Sequence, residues 1–232
     1  MKKFIGKIIE LQTDRAGDSA LQIECPAAQV PDPGQYLQAL TSDDQAALPI
    51  TLFPSRIISI ETGEDVPRFT AAISNSEAYR PGIPLQLLRP LGVGFAMPPT
   101  VKRLALTAFD ASLAPLLPLM DRALSEGGEV AIFCDICPDG LPEAVEINPL
   151  EELRGAAGWA DYAALTSPLE RLSELDQLGI REMRSNQTQV LVRAPMPCSG
   201  LADCGVCAVP SMRGCKLACK DGPVFDWGVE NF

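Results

Sequence analysis

The chain has 232 residues, 47% of them hydrophobic, and carries a formal net charge of −11. It is long enough for about two domains with cores of their own and needs no disulfide to fold, and its acidity argues against nucleic acid and anionic membrane as partners. Histidine is absent, which excludes Ser-His and Cys-His catalytic dyads and every zinc or Rieske site that requires imidazole.

The one apolar run near the start, FIGKIIEL, is broken by Lys7 and Glu10. A secretory core needs roughly 7–15 unbroken apolar residues and a membrane span about 20. The chain therefore reads as soluble and cytoplasmic, where thiols stay reduced. From Lys3 to about Pro98 short β-rich runs follow one another: KFIGKIIEL, SALQIEC, QYLQAL, LPITLF, SRIISIE, FTAAIS and PLQLLRPL. The turn signals DRAGD, PDPG, TGEDVP and YRPG separate them, the pattern of a small antiparallel barrel or sandwich.

After Val101 the texture changes. RLALTAF and EVAIFC read as buried strands around an apolar helix, SLAPLLPLMDRAL, that Gly127 and Gly128 close. EAVEI is a further strand, and SPLERLSELDQLG reads as a helix capped by Thr166 or Ser167. Strand–helix–strand order implies a parallel α/β sheet. The pair Cys134 and Cys137 ends a strand instead of opening a helix, so it reads as two structural thiols rather than a redox dithiol. One more strand, TQVLVRA, leads into a cysteine-rich tail.

That tail holds Cys198, Cys204, Cys207, Cys215 and Cys219. Two ligand sets compete on spacing. Cys204, Cys207, Cys215 and Cys219 form a compact CxxC…CxxxC set of the kind that holds tetrahedral zinc. Cys198, Cys204, Cys207 and Cys219 approximate the plant-type ferredoxin pattern with its first gap one residue longer. Gly200 and Gly205 lie among these ligands, where a bare backbone lets N–H groups approach sulfur.

CKDGPVF after the last cysteine, CGVCAV around the middle pair and the Met-Pro-Cys before the first resemble the iron–sulfur loop of the electron-transfer subunit of type B dihydroorotate dehydrogenase, a ferredoxin-reductase-like flavoprotein. PDPGQYLQAL, LPITLF, RPLGVGFAMP and APLLPLM are similar to that family's motifs and occur in its order. The resemblance implies an α+β multidomain chain: a six-stranded antiparallel flavin-type barrel over 1–98, a Rossmann-like parallel α/β domain over 99–182, and a cysteine-rich 2Fe–2S domain over 183–232. It assigns Cys198, Cys204, Cys207 and Cys219 to a 2Fe–2S cluster and leaves Cys215 spare. FAD is implied at Pro49, Ile50 and Thr51. The implied partner is a catalytic flavoprotein of pyrimidine biosynthesis that oxidises dihydroorotate.

Departures qualify what is carried over. Leu48 stands where the family has an arginine that pairs with flavin pyrophosphate, and leucine neutralises no diphosphate. Arg56 is the nearest cation in sequence able to replace it, and FAD retention stays open. LTAFDASLAPLL has no glycine-rich turn to receive a nicotinamide dinucleotide. Phe109 fills that space and Asp110 caps the following helix, so NAD binding is lost. No acid–base set for turnover is present. The chain reads as an electron-transfer subunit rather than a self-sufficient enzyme, the alternative being a cofactor-depleted structural or regulatory subunit with a four-cysteine zinc site.

Overall fold

A computed structural model describes residues 3–41, 49–58, 67–73, 79–136, 138, 140–183, 187–212, 214–230 and 232. The first part carries β1 (Lys3–Thr13), β2 (Ser19–Glu24), β3 (Leu37–Thr41), β4 (Ile50–Leu52), β5 (Pro54–Ile58), β6 (Arg68–Ala72) and β7 (Pro84–Leu88). They form one antiparallel sheet in the order β4-β3-β7-β1-β2-β6-β5. Its two outermost strands, β4 and β5, are separated in the chain by Phe53 alone. A sheet whose edges are joined through one residue must curl until they meet, which is how a barrel removes its edges. Ile8, Leu21, Ile23, Leu37, Leu52, Phe69, Leu85 and Leu87 fill the interior, every one fully buried. The sheet has seven strands, one for each β-rich run of the sequence, where the family resemblance implies six; LPITLF and SRIISIE supply β4 and β5 on either side of Phe53.

The second part carries β8 (Arg103–Ala108), α1 (Leu117–Ser125), β9 (Glu129–Cys134), β10 (Val145–Asn148), β11 (Tyr162–Pro168) and β12 (Thr188–Arg193). A hairpin of β13 (Ala208–Ser211) and β14 (Gly214–Leu217) follows, then β15 (Val224–Asp226) and α2 (Trp227–Glu230). The main sheet runs β10-β9-β8-β11-β12-β15, parallel except for β15. Strand order reverses between β8 and β11, the switch point at which open α/β sheets leave a crevice outside their carboxyl ends. Alternate residues serve opposite faces: Leu104 and Leu106 pack under α1, whereas Ala105, Leu165 and Val190 face the 3₁₀ segments Leu150–Gly158 and Leu169–Leu178. Both β12 and β15 belong to this sheet. The cysteine-bearing excursion leaves the sheet after β12 and returns to it at β15.

Three local expectations change. SLAPLLPLMDRAL is a 3₁₀ turn, Ala114–Leu116, running into α1, with Pro118 in the first helical turn where its missing N–H costs nothing. Thr166 and Ser167 do not cap the next segment, because both are held inside β11 opposite Ala108 and Val192. Asp110 caps no helix either. Ser112 Oγ accepts from the Ala114 N–H at 3.0 Å, while Asp110, at φ 45°, pairs with Arg171 Nη1 at 3.1 Å. Among the described residues no helix is long and apolar enough to cross a membrane.

Candidate cofactor cleft and cysteine cluster

β4, β6 and the segment at Tyr79 face Ser112, Pro115 and the end of β12 across a cleft of about 370 Å³. Ile50 and Thr51 line it; Pro49 directly precedes β4 and does not. Leu48 lies outside the described residues. Thr51 is set by a buried amide: Gln38 Nε2 donates to Thr51 Oγ1 at 2.7 Å and to the Met196 carbonyl at 3.3 Å. A carbonyl only accepts, so this contact fixes which end of the Gln38 amide faces it. Thr51 therefore accepts from Gln38.

Arg193 ends β12 and is the one cation among the described lining residues. Arg56 does not substitute for it, since it lies in a separate recess with Gln12, Asp14 and Arg15. Sequence reasoning missed Arg193, although it sits at the carboxyl end of a parallel strand, where crevice ligands bind.

From Arg193 the chain passes through Met196, which is buried, to Cys198. Burial pushes the Cys198 thiol up, but the backbone N–H groups of Ala202, Asp203 and Leu201, with the Cys204 thiol, outweigh it and bring it to about 7. The loop achieves this with left-handed backbone at Ser199 (φ 53°), Gly200 (φ 76°), Ala202 (φ 65°) and Gly205 (φ 71°). Such turns point successive N–H groups into one concavity, a nest for negative charge. At Ser199 and Ala202 the conformation costs roughly 1–2 kcal/mol per residue.

Cys219 interacts with both Cys207 and Cys198. Its thiol is pushed up to about 12 by burial, then by those two neighbours. The sulfurs thus run Cys204–Cys198–Cys219–Cys207, with Cys204 exposed and Cys207 and Cys219 buried. Among the described residues, no three or more Cys, Asp or Glu side chains converge as they would on one metal ion. Cys215 is exposed on β14, its sulfur 3.9 Å from the Lys216 carbonyl. Cys25 is buried in the barrel, where desolvation pushes its thiol up to about 11, and Cys134 is buried against the α1 side of the second sheet. Cys137 lies outside the described residues.

Tyr36 joins cleft and cysteines. It is fully buried, its ring lies 5.9 Å from that of Phe53 in the cleft wall, and its hydroxyl donates to the Cys219 carbonyl at 2.9 Å. At the switch point Phe109 is buried and donates its N–H to the Thr166 carbonyl at 3.0 Å. The Arg171 guanidinium lies 4.6 Å from the centre of its ring, held by Asp110 and by Glu174 at 2.7 Å. An aromatic ring and an ion-pair network thus occupy the carboxyl end of β8.

No family model and no curated protein matches the chain. Solved structures do. An NADH-dependent reduced ferredoxin-NADP oxidoreductase studied for flavin-based electron bifurcation aligns with a TM-score of 0.71 at 17% identity, over 97% of this chain and 88% of its own. Phthalate dioxygenase reductase, described as a modular structure for electron transfer from pyridine nucleotides to [2Fe-2S], aligns at 0.58 and 11% identity, over 82% of this chain and 68% of its own. A ferredoxin NADP+ reductase from Neisseria gonorrhoeae, solved with bound FAD and NADP, aligns at 0.56 and 13% identity, over 83% of this chain and 99% of its own. The barrel followed by a sheet of 3-2-1-4-5 parallel order, with one antiparallel edge strand, is the two-domain ferredoxin-reductase-like fold.

Proposed function

We propose that the chain is an electron-transfer subunit, resembling that of type B dihydroorotate dehydrogenase, which passes single electrons to or from a catalytic flavoprotein partner. In this reading Cys198, Cys204, Cys207 and Cys219 hold a 2Fe–2S cluster, whose chemistry is one-electron transfer. One observation carries the reading: four thiols follow one another as neighbours, Cys204–Cys198–Cys219–Cys207, and three backbone N–H groups aim at the sulfur of Cys198. Thiolates are soft ligands, and N–H donors to sulfur stabilise the negative charge that a cluster carries. The donor set fits the group.

FAD fits the neighbouring cleft in kind, with apolar walls at Ile50, Phe53 and Tyr79, a hydroxyl at Thr51 and a cation at Arg193. Gln38 and Tyr36 span the distance from that cleft to the cysteines. Leu201 and Val206 are exposed on either side of exposed Cys204, an apolar rim on which a partner's surface excludes water from the transfer path. Nicotinamide dinucleotide has no cradle at Phe109 and Asp110.

Anaerobically purified protein is expected to be reddish-brown, with about two iron and two sulfide per chain. A colourless protein with stoichiometric zinc would instead establish the subunit with a four-cysteine zinc site. NADH added alone is expected to leave the visible spectrum unchanged. Rapid bleaching by NADH without a partner would mean that a dinucleotide binds despite Phe109.

A further inference from the structure

Arg193 stands out in the cleft. Most of the surface around it is apolar: Ile50, Phe53, Tyr79, Pro115, Ala194 and Pro195. Among the described residues no carboxylate oxygen lies within 4.0 Å of its guanidinium, while Arg15, Arg68, Arg103, Arg122, Arg154, Arg171 and Arg181 all have one. The charge that bears on it is Asp18, whose Oδ2 already accepts from Ser112 Oγ. Burial pulls the guanidinium below its ordinary range, and Asp18 only partly opposes this. A cation that has given up water without gaining an anion is stabilised strongly by an anionic ligand. The flat fork of Arg, unlike a Lys ammonium, matches two oxygens of one phosphoryl group.

The surroundings narrow the ligand. A phosphoryl group alone is served poorly by a cleft with so much apolar wall, whereas a planar heteroaromatic ring bearing a phosphoryl tail uses both halves. The ring meets Phe53, Tyr79 and Ile50 with the Thr51 hydroxyl to orient it, and the tail meets Arg193.

We propose that Arg193, contributed by the second sheet, binds the phosphoryl group of a flavin nucleotide in this cleft, the charge role that no barrel residue fills at Leu48. The assignment rests on the flavin reading of the cleft. It has a consequence the barrel-arginine arrangement lacks: flavin retention depends on how β12 is held against the barrel.

The test compares riboflavin, FMN and FAD binding by fluorescence quenching and equilibrium dialysis, in the native chain and in Arg193→Met and Arg193→Lys. Native protein is expected to bind FMN and FAD roughly 10–100-fold more tightly than riboflavin, the range of a charge-assisted bidentate contact. Arg193→Met should remove that preference while riboflavin affinity stays unchanged, and Arg193→Lys should restore part of it. An undiminished preference in Arg193→Met overturns the assignment. A uniform loss of all three ligands together with a changed far-ultraviolet circular dichroism spectrum is controlled by Arg193→Lys, whose native-like affinity for every ligand would also count against a bidentate Arg contact. If native protein binds no flavin, pyrophosphate separates the two readings. Thermal stabilisation by pyrophosphate that Arg193→Met abolishes keeps the phosphoryl site and removes the flavin, and no stabilisation removes both.

Discussion

Five thiols lie in the tail where a cluster takes four, and their contacts separate them. Cys198, Cys204, Cys207 and Cys219 are linked as successive neighbours, whereas Cys215 projects from β14 with the Lys216 carbonyl 3.9 Å from its sulfur. Cys215→Ser is therefore expected to retain visible absorption and iron. Cys198→Ser should lose both, because it removes the sulfur on which three N–H groups converge. Metal analysis and absorption spectra of the two variants decide the matter; loss of metal from Cys215→Ser with retention in Cys198→Ser would point to the zinc set. Cysteine spacing is visible in any sequence, which is why this loop stands out there before its contacts are known. Arg193, Gln38 and Tyr36 do not. Each acts through contacts more than 100 residues away along the chain, as in Tyr36 to Cys219 or Gln38 to Met196; PDPGQYLQAL draws notice as a motif, but nothing local to it or to β12 shows those distant contacts.

At the scale of elements, the strands were legible because burial follows period two in the barrel and a continuous apolar run in the parallel sheet. The helices were less so. Thr166 and Ser167 have the composition of caps, yet two flanking strands claim their backbone, and tertiary pairing outweighs a cap of about 1 kcal/mol. A side chain that does anchor two elements is Asp161. Its Oδ2 accepts from the Lys102 and Arg103 N–H groups at 3.2 and 3.0 Å, and its Oδ1 from the Arg103 guanidinium at 3.0 Å, tying the start of β8 to the start of β11. The Arg103 side chain holds the Asp161 carboxyl below its usual 3.8; burial opposes it next, and the Lys102 N–H, the Arg103 charge and the Arg103 N–H add to the lowering. A folded-state pKa below the unfolded one means the native carboxylate resists protonation. Its contribution is present above pH 3.8 and is lost as pH falls through the lower native value. Asp161→Asn is expected to lower stability at pH 7 and to reduce the further loss between pH 5 and 2, each measured by urea denaturation. An unaltered acid-induced loss would show that Asp161 titrates as it does in the unfolded chain.

The whole molecule is held together where three segments meet backbone to backbone. Leu91 pairs with Tyr36 of the barrel, and Val93 pairs with Pro223, four residues beyond Cys219. Between them Gly92 adopts φ 78°, and a Cβ placed there would lie 2.6 Å from Pro223 Cδ and 2.7 Å from the Gly222 carbonyl oxygen. Gly34 is similarly enclosed: a Cβ placed there would lie 2.7 Å from Val224 Cγ2 and 2.8 Å from Phe95 Cδ2. The barrel, the junction and the return strand of the cysteine excursion are therefore seated closely on one another at these two glycines. Such a seat fixes the cysteines relative to the cleft, and it predicts what Gly92→Ala does. Left-handed backbone for alanine costs roughly 1–2 kcal/mol, and overpacking against a carbonyl, which cannot swing aside as a side-chain tip can, adds about 1–3 kcal/mol. Gly82→Ala is the matched control: its φ is 87°, but its Cβ meets nothing within 4 Å, so it reports the backbone strain alone. Gly92→Ala should be less stable than Gly82→Ala by about 1–3 kcal/mol in denaturant unfolding. It should also retain less iron, because displacement of Gly222 and Pro223 pulls on the segment that ends at Cys219. Equal stability and equal iron in the two variants would mean that the junction yields freely, and the coupling of barrel to cysteine loop through Gly92 would have to be abandoned.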